Sequence, residues 1–195
     1  MSTSEPRPLA TMRAIADRLV GALTPFVEKI EIAGSIRRQK PEPRDIELVC
    51  VPRFGRVTPP GELLPVPGVN LLDHYVAEQM AAGRMTTRLD VHGRGAVGEK
   101  YKRLAINAPG VGPVALDLFS VLPPASFAVL LMIRTGSMEF SRRLVTKQHA
   151  GGWLPNDLRV EHGAIWRGDQ RIETPDEAAV FELCGRAFVA PPARA

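Results

Sequence analysis

At 195 residues, with 45% apolar and 24% charged side chains, the chain can bury one substantial core or two small ones, which excludes a disordered or fibrous protein. The net charge of +4 is uneven: residues 84–103 carry Arg84, Arg88, Arg94, Lys100, Lys102 and Arg103 against Asp90 and Glu99, an excess suited to a polyanion or to a solvated basic face. Cys50 and Cys184 and the four scattered histidines show no zinc-ligand spacing, and the longest apolar run, 127–133, is too short to span a bilayer, so buried thiols, a cytoplasmic location and no membrane partner are expected.

In chain order, residues 11–23 set Met12, Ile15, Ala16, Leu19, Val20 and Leu23 on one stripe, which predicts an amphipathic helix closed by Thr24-Pro25. Residues 27–33 read as a strand, 35–39 as a turn or short helix ended by Pro41 and Pro43, and 45–51 as a second strand. A Pro/Gly-rich loop over 52–68 leads to a helix over 71–82, and 88–90 and 101–107 alternate as strands. The turn "NAPGVGP" then delivers "VALDLFSV", a strand apolar apart from Asp117 and Ser120 and so expected to be buried on both faces. "GRGAVG" at 93–98 matches G-x-G-x-x-G, but strand-like sequence follows it, so it reads as a hairpin tip.

"LPPAS" at 122–126 divides the chain into 1–122 and 123–195. Beyond it, 127–133 reads as a strand, 134–137 as a turn, and 138–149 as a basic helix stopped by Gly151-Gly152. A hairpin is predicted at 158–161 and 164–167, with Trp153 and Trp166 in the core of this half. Thr174, Pro175 and Glu177 form a capping box for a helix ending at Gly185.

The chemistry concentrates on the second strand. Positions i and i+2 share a face, so Asp45 and Glu47 project together, roughly 7 Å apart along the strand, and repel. A divalent cation between them removes that cost, and hard cations such as Mg²⁺ take oxygen ligands. If Asp117 lies on an adjacent strand of the same sheet, three carboxylates can hold two cations about 4 Å apart. Upstream, Gly34-Ser35 stands at a strand-to-helix turn, where backbone N–H groups and a hydroxyl can cradle phosphates and Arg37 or Arg38 can add charge. Arg94, Lys100, Lys102 and Arg103 are candidate contacts to nucleic-acid phosphates, with Tyr101 near a base or sugar.

Gly34-Ser35, Arg37-Arg38, Asp45-x-Glu47 eleven residues after the glycine, and the lone Asp117 together resemble the nucleotidyltransferase palm of family X DNA polymerases, the polymerase beta-like group. "RTGS" at 134–137, the basic helix, the Gly-Gly stretch, the hairpin and "TPDEAAVFELCG" are similar in order to that group's small nucleotide-selecting domain. The resemblance spans about residues 11–194. It implies an α+β fold with a palm domain, a mixed β-sheet with helices on one face, over 1–122 and a small C-terminal α/β, thumb-like domain over 123–195.

The same resemblance implies that Asp45, Glu47 and Asp117 hold two Mg²⁺ ions, with Mn²⁺ as a substitute, and that Asp117 helps to deprotonate a primer 3′-hydroxyl. Gly34, Ser35 and Arg38 would grip the outer phosphates, and the Thr135-Gly136 turn would lie against the incoming sugar. Ser141, Arg142 and Arg143 would face the nascent base pair or template. The implied activity is nucleotidyl transfer from a dNTP or rNTP to a primer 3′-hydroxyl on primer-template or gapped DNA by a compact, monomeric, template-directed repair polymerase. The alternatives are untemplated transfer to RNA, a small molecule or a protein, and a non-catalytic nucleic-acid-binding relative. Glu47 stands where the family has aspartate, which shifts the carboxylate geometry. Ile133 and Arg134 stand where it has aromatic residues, so weak discrimination between ribose and deoxyribose is expected. The chain begins almost directly at the palm, so lyase activity is not expected.

Overall fold

A computed structural model describes residues 5–58 and 61–194; residues 1–4, Pro59-Pro60 of the proline-rich loop and Ala195 lie outside the described residues. From the N-terminus run the helix Leu9–Leu23 (α1), the strand Val27–Ile32 (β1), the one-turn helix Gly34–Arg37 (α2) and the strand Asp45–Pro52 (β2). The hairpin Phe54–Val57 (β3) and Val66–Asn70 (β4) precedes the helix Leu71–Ala81 (α3), and Met85–Thr87 (β5), Tyr101–Ala108 (β6) and Gly112–Ser120 (β7) complete this half. Five strands form one mixed sheet in the order β1-β2-β7-β6-β5, with β2 and β7 parallel and the other neighbours antiparallel.

Strand alternation sorts the two faces of the sheet. Ile46, Leu48, Leu104, Ile106, Leu116 and Leu118 join Met12, Ile15 and Leu23 of α1 and Leu72 and Val76 of α3 in the main core. Each such fully buried aliphatic side chain contributes about 1.5–3 kcal/mol relative to exposure, so this layer fixes the strand register. Residues out of phase with it, among them Asp45, Glu47, Arg103 and Asp117, are left on the opposite face.

The second half holds the helices Phe127–Thr135 (α4) and Met138–Val145 (α5), the strands Leu158–Glu161 (β8), Ala164–Arg167 (β9) and Gln170–Ile172 (β10) in one antiparallel sheet, and the helix Glu177–Leu183 (α6). Its core gathers Met132, Phe140, Leu144, Leu154, Ile165 and Phe181, with Trp153 half-buried edge-on to Phe140. Trp166 is half-buried and donates its indole N–H to the Glu161 carbonyl. Leu131 of α4 packs with Ala33, Val49, Phe119 and Val121, joining the halves on the carboxylate-bearing face.

Several sequence expectations are corrected. The apolar run 127–133 is helix α4 and not a strand: Ala128, Val129 and Met132 face the second core while Phe127, Leu130 and Leu131 face the sheet, so burial on two sides erased the amphipathic signal. The loop over 52–68 contains the β3–β4 hairpin, and the strand expected at 88–90 lies at Met85–Thr87, with Asp90 folding back to accept from the His92 and Arg94 N–H groups. The basic helix stops at Val145. There Gly152 is required, since a Cβ on it would lie 1.8 Å from the Thr146 carbonyl oxygen. Asp176 caps α6, accepting from the Ala179 N–H at 2.9 Å, while Thr174 is buried against the Ser126 hydroxyl and Glu177 is the first helical residue. A third strand, β10, extends the predicted hairpin.

Candidate active site

The turn after β1 sits directly over β2. Ala33 donates its N–H to the Glu47 carbonyl at 2.8 Å, and Gly34 adopts φ +62° with its absent Cβ only 2.0 Å from Glu47 Oε2. Glycine alone lets the chain pass this close to the carboxylate while entering α2. Ser35 follows, and its Oγ is buried with no hydrogen-bond partner among the described residues.

The parallel register of β2 and β7 pairs Asp45 with Ala115 and Glu47 with Asp117, so all three carboxylates share one face. Burial pushes the Glu47 carboxyl up, and Asp45 and then Asp117 push it further, to about 7, against Arg134 and Arg38. Asp45 is raised by burial and then by Asp117, opposed by Arg88 and Arg38. Asp117 is differently placed. Its Oδ1 accepts from Arg88 Nη2 at 2.7 Å and from the Tyr101 hydroxyl at 2.8 Å, with Arg103 Nε at 3.9 Å. Among the described residues no three acidic, imidazole or thiol groups converge tightly enough to hold a metal ion. The three carboxylates share a face but not a common point.

A cleft of about 420 Å³ opens between this face and the C-terminal half, lined by Ser35, Asp45 and Glu47 on one side and Arg134, Gly136 and Ser141 on the other. A second cleft of about 470 Å³, between Lys40 and Arg44, shares Ser35 and Asp45 with it. Arg38 also lines the first cleft, but it donates to the Thr135 and Gly136 carbonyls, so it braces the glycine turn. Thr135 is buried, with its hydroxyl accepting from Arg37 Nη1 at 2.8 Å. Ser141 donates its hydroxyl to the Ile133 carbonyl at 2.6 Å, and Arg142 and Arg143 are exposed and paired with Glu139.

The basic residues of 94–103 divide. Arg94 and Lys100 are exposed. Arg103 is on the carboxylate face and donates to the Tyr101 hydroxyl. Lys102 is a correction to its expected role: it is 3% exposed on the helix-packed face, ion-paired with Asp73, and cannot reach a nucleic acid there. The alternation of β6 was legible and should have separated Lys102 from Arg103.

Two features were missed in the sequence. Arg88 had no motif beyond the basic run, and its contact with Asp117 spans 29 positions. The buried clasp of Glu177 with Arg37 at 2.8 Å and Arg194 at 2.7 Å joins three distant segments, one of them hidden behind an expected capping role.

No protein-family model matches the chain, and no curated protein sequence does. Among solved structures, Leishmania infantum polymerase beta in a ternary P/T complex is similar to it, with a TM-score of 0.73 and 17% identity over 99% of this chain and 78% of that one. Among the described residues no helix is long and apolar enough to cross a membrane. The mixed sheet with its flanking helices is thus a polymerase beta-like fold.

Proposed function

We propose that the chain is a metal-dependent nucleotidyltransferase that transfers a nucleotide from a dNTP or rNTP to a primer 3′-hydroxyl on templated or gapped DNA, as a compact repair polymerase. Residues 1–122 act as its palm domain and 123–195 as its nucleotide-selecting domain. The observation that carries this reading is the β2–β7 register, which puts Asp45, Glu47 and Asp117 on one face, with Asp45 and Glu47 lining a cleft of about 420 Å³.

The donor set suits hard divalent cations: all its groups are carboxylates, and the carboxyls of Glu47 and Asp45 are raised first by burial and then by neighbouring carboxylates, a cost that bound positive charge relieves. Asp45, Glu47 and Asp117 would hold two Mg²⁺ ions, or Mn²⁺ in their place. When bound, such ions activate the attacking hydroxyl and neutralise charge on the phosphates. The chain itself supplies orientation. The unpartnered Ser35 hydroxyl and the Gly34-Ser35 turn bind the outer phosphates, with Lys40 and Arg44 flanking the adjoining cleft. Arg38 fixes the Thr135-Gly136 turn against the sugar, and Ser141, held by the Ile133 carbonyl, borders the base. Arg94, Lys100, Arg142 and Arg143 provide exposed positive charge toward the nucleic-acid backbone.

The test is extension of primed and one-nucleotide-gapped DNA with each dNTP or rNTP and Mg²⁺ or Mn²⁺. Template-directed extension by the wild type is expected, falling about a hundredfold or more in Asp45→Ala and Asp117→Ala. Untemplated labelling of another acceptor, or DNA binding without turnover, would replace this reading by one of its rivals.

A further inference from the structure

Three carboxylates share the face, yet their surroundings differ. Asp45 and Glu47 feel Arg38 at a distance, with Arg88 acting on the first and Arg134 on the second, while a single oxygen of Asp117 takes the Arg88 guanidinium, the Tyr101 hydroxyl and the nearby Arg103. Arg88 and Asp117 are mostly buried, with side chains 17% and 11% exposed, so their attraction is little screened. Arg88 also stands at the root of the 88–100 loop, its N–H bonded to the Arg103 carbonyl at 2.9 Å, so the backbone delivers its side chain to Asp117. This contact engages an Asp117 oxygen that metal coordination would use.

On the reading of Asp45, Glu47 and Asp117 as metal ligands, we infer that Arg88 is a built-in counter-cation: it holds Asp117 in the metal-free chain and releases it when a divalent cation binds. The guanidinium and the metal are like charges competing for one carboxylate, so Arg88 lowers metal affinity and makes occupancy depend on a charge exchange. The released side chain belongs to the same 88–100 loop as the exposed Arg94 and Lys100, and a nucleic-acid phosphate can receive it. Arg88 is thus a positioning residue acting through Asp117.

The experiment measures Mn²⁺ binding to the full chain, without nucleotide, by loss of the free-ion paramagnetic resonance signal. Arg88→Gln should bind Mn²⁺ on the order of tenfold more tightly than wild type. Arg88→Lys, which keeps the charge, should remain within about threefold of wild type. Equal or weaker binding by Arg88→Gln, with wild type binding Mn²⁺, overturns this inference and leaves the metal-site reading standing. Absence of Mn²⁺ binding by every variant overturns both. A second measurement needs no folded variant: in wild-type protein labelled with ¹⁵N-arginine, Mg²⁺ should shift the Arg88 Nε–H resonance as its partner changes. A resonance unmoved at saturating Mg²⁺ also refutes the exchange.

Discussion

Glu47 of β2 lies against Gly34 at the start of α2 and Glu177 of α6 binds Arg37 at its end, and burial pushes both carboxyls up. Their neighbours then separate them. Glu47 faces Asp45 and Asp117 and is driven up to about 7. Glu177 receives hydrogen bonds from Arg37 and then Arg194, which outweigh burial and hold it below the usual glutamate range. The clasp around Glu177 is neutralised from within the chain, whereas at Glu47 the more distant Arg134 and Arg38 do not offset burial and the neighbouring carboxylates. The first arrangement serves to join segments, and the second is suited to an external cation.

The largest expected effect breaks the compensated side. Arg194 has a fully buried side chain whose guanidinium lies 5.3 Å from the Phe140 ring centre and 5.4 Å from that of Phe181. Glu177→Ala would strand this cation and free Arg37, destabilising the protein by about 3–5 kcal/mol in urea unfolding. A loss under about 1 kcal/mol would mean that the clasp is solvated and that the contrast with Glu47 is false.

The next prediction has the opposite sign. A carboxyl raised in the folded state binds its proton more tightly there than in the unfolded chain. Glu47 therefore imposes no penalty below about pH 4.5, a growing one as pH rises toward 7, and a constant one above it. Glu47→Gln removes the charge at every pH, so in chelator the variant should match wild type near pH 4 and exceed it at pH 8 by at most about 3 kcal/mol. Saturating Mg²⁺ should shrink the difference by stabilising wild type. A variant less stable than wild type at pH 8 in chelator would show that the Glu47 charge is satisfied by the fold.

These two glutamates also show how far the sequence could be read. Asp45 and Glu47 were legible because strand alternation is local, and their shared face follows from two positions on one element. Asp117 was legible as an ionisable residue in an apolar strand, although its alignment with Glu47 is set by register across 70 positions. Nothing local marks Arg88 or Arg194, whose partners come from distant segments. Glu177 even carried a misleading local signal, since Thr174 and Pro175 three and two residues before it imitate a helix start. Helix α4 failed for a related reason: being buried between two cores, it lost the polar face that periodicity detects. Local patterns placed the sheet and two of the three acids, while long-range pairing decided which charges stayed open.

The smallest expected effect on stability falls on Ser35, the neutral counterpart of that open charge. Its hydroxyl is buried without a partner among the described residues, an arrangement that normally costs folding free energy. Neighbouring Arg37 and Arg38 have every reason to be kept for structure, since they bind Glu177 and the Thr135-Gly136 turn, but Ser35 has no such contact to lose. Ser35→Ala should therefore leave stability unchanged or raise it by up to about 1 kcal/mol. If the hydroxyl donates to a nucleotide phosphate, the same variant should raise KM for the nucleotide about tenfold, because a hydrogen bond to a charged oxygen contributes about 1.5–3 kcal/mol, with kcat little altered. A variant that loses stability while keeping its KM would make Ser35 a structural residue and would move the phosphate site away from the α2 turn.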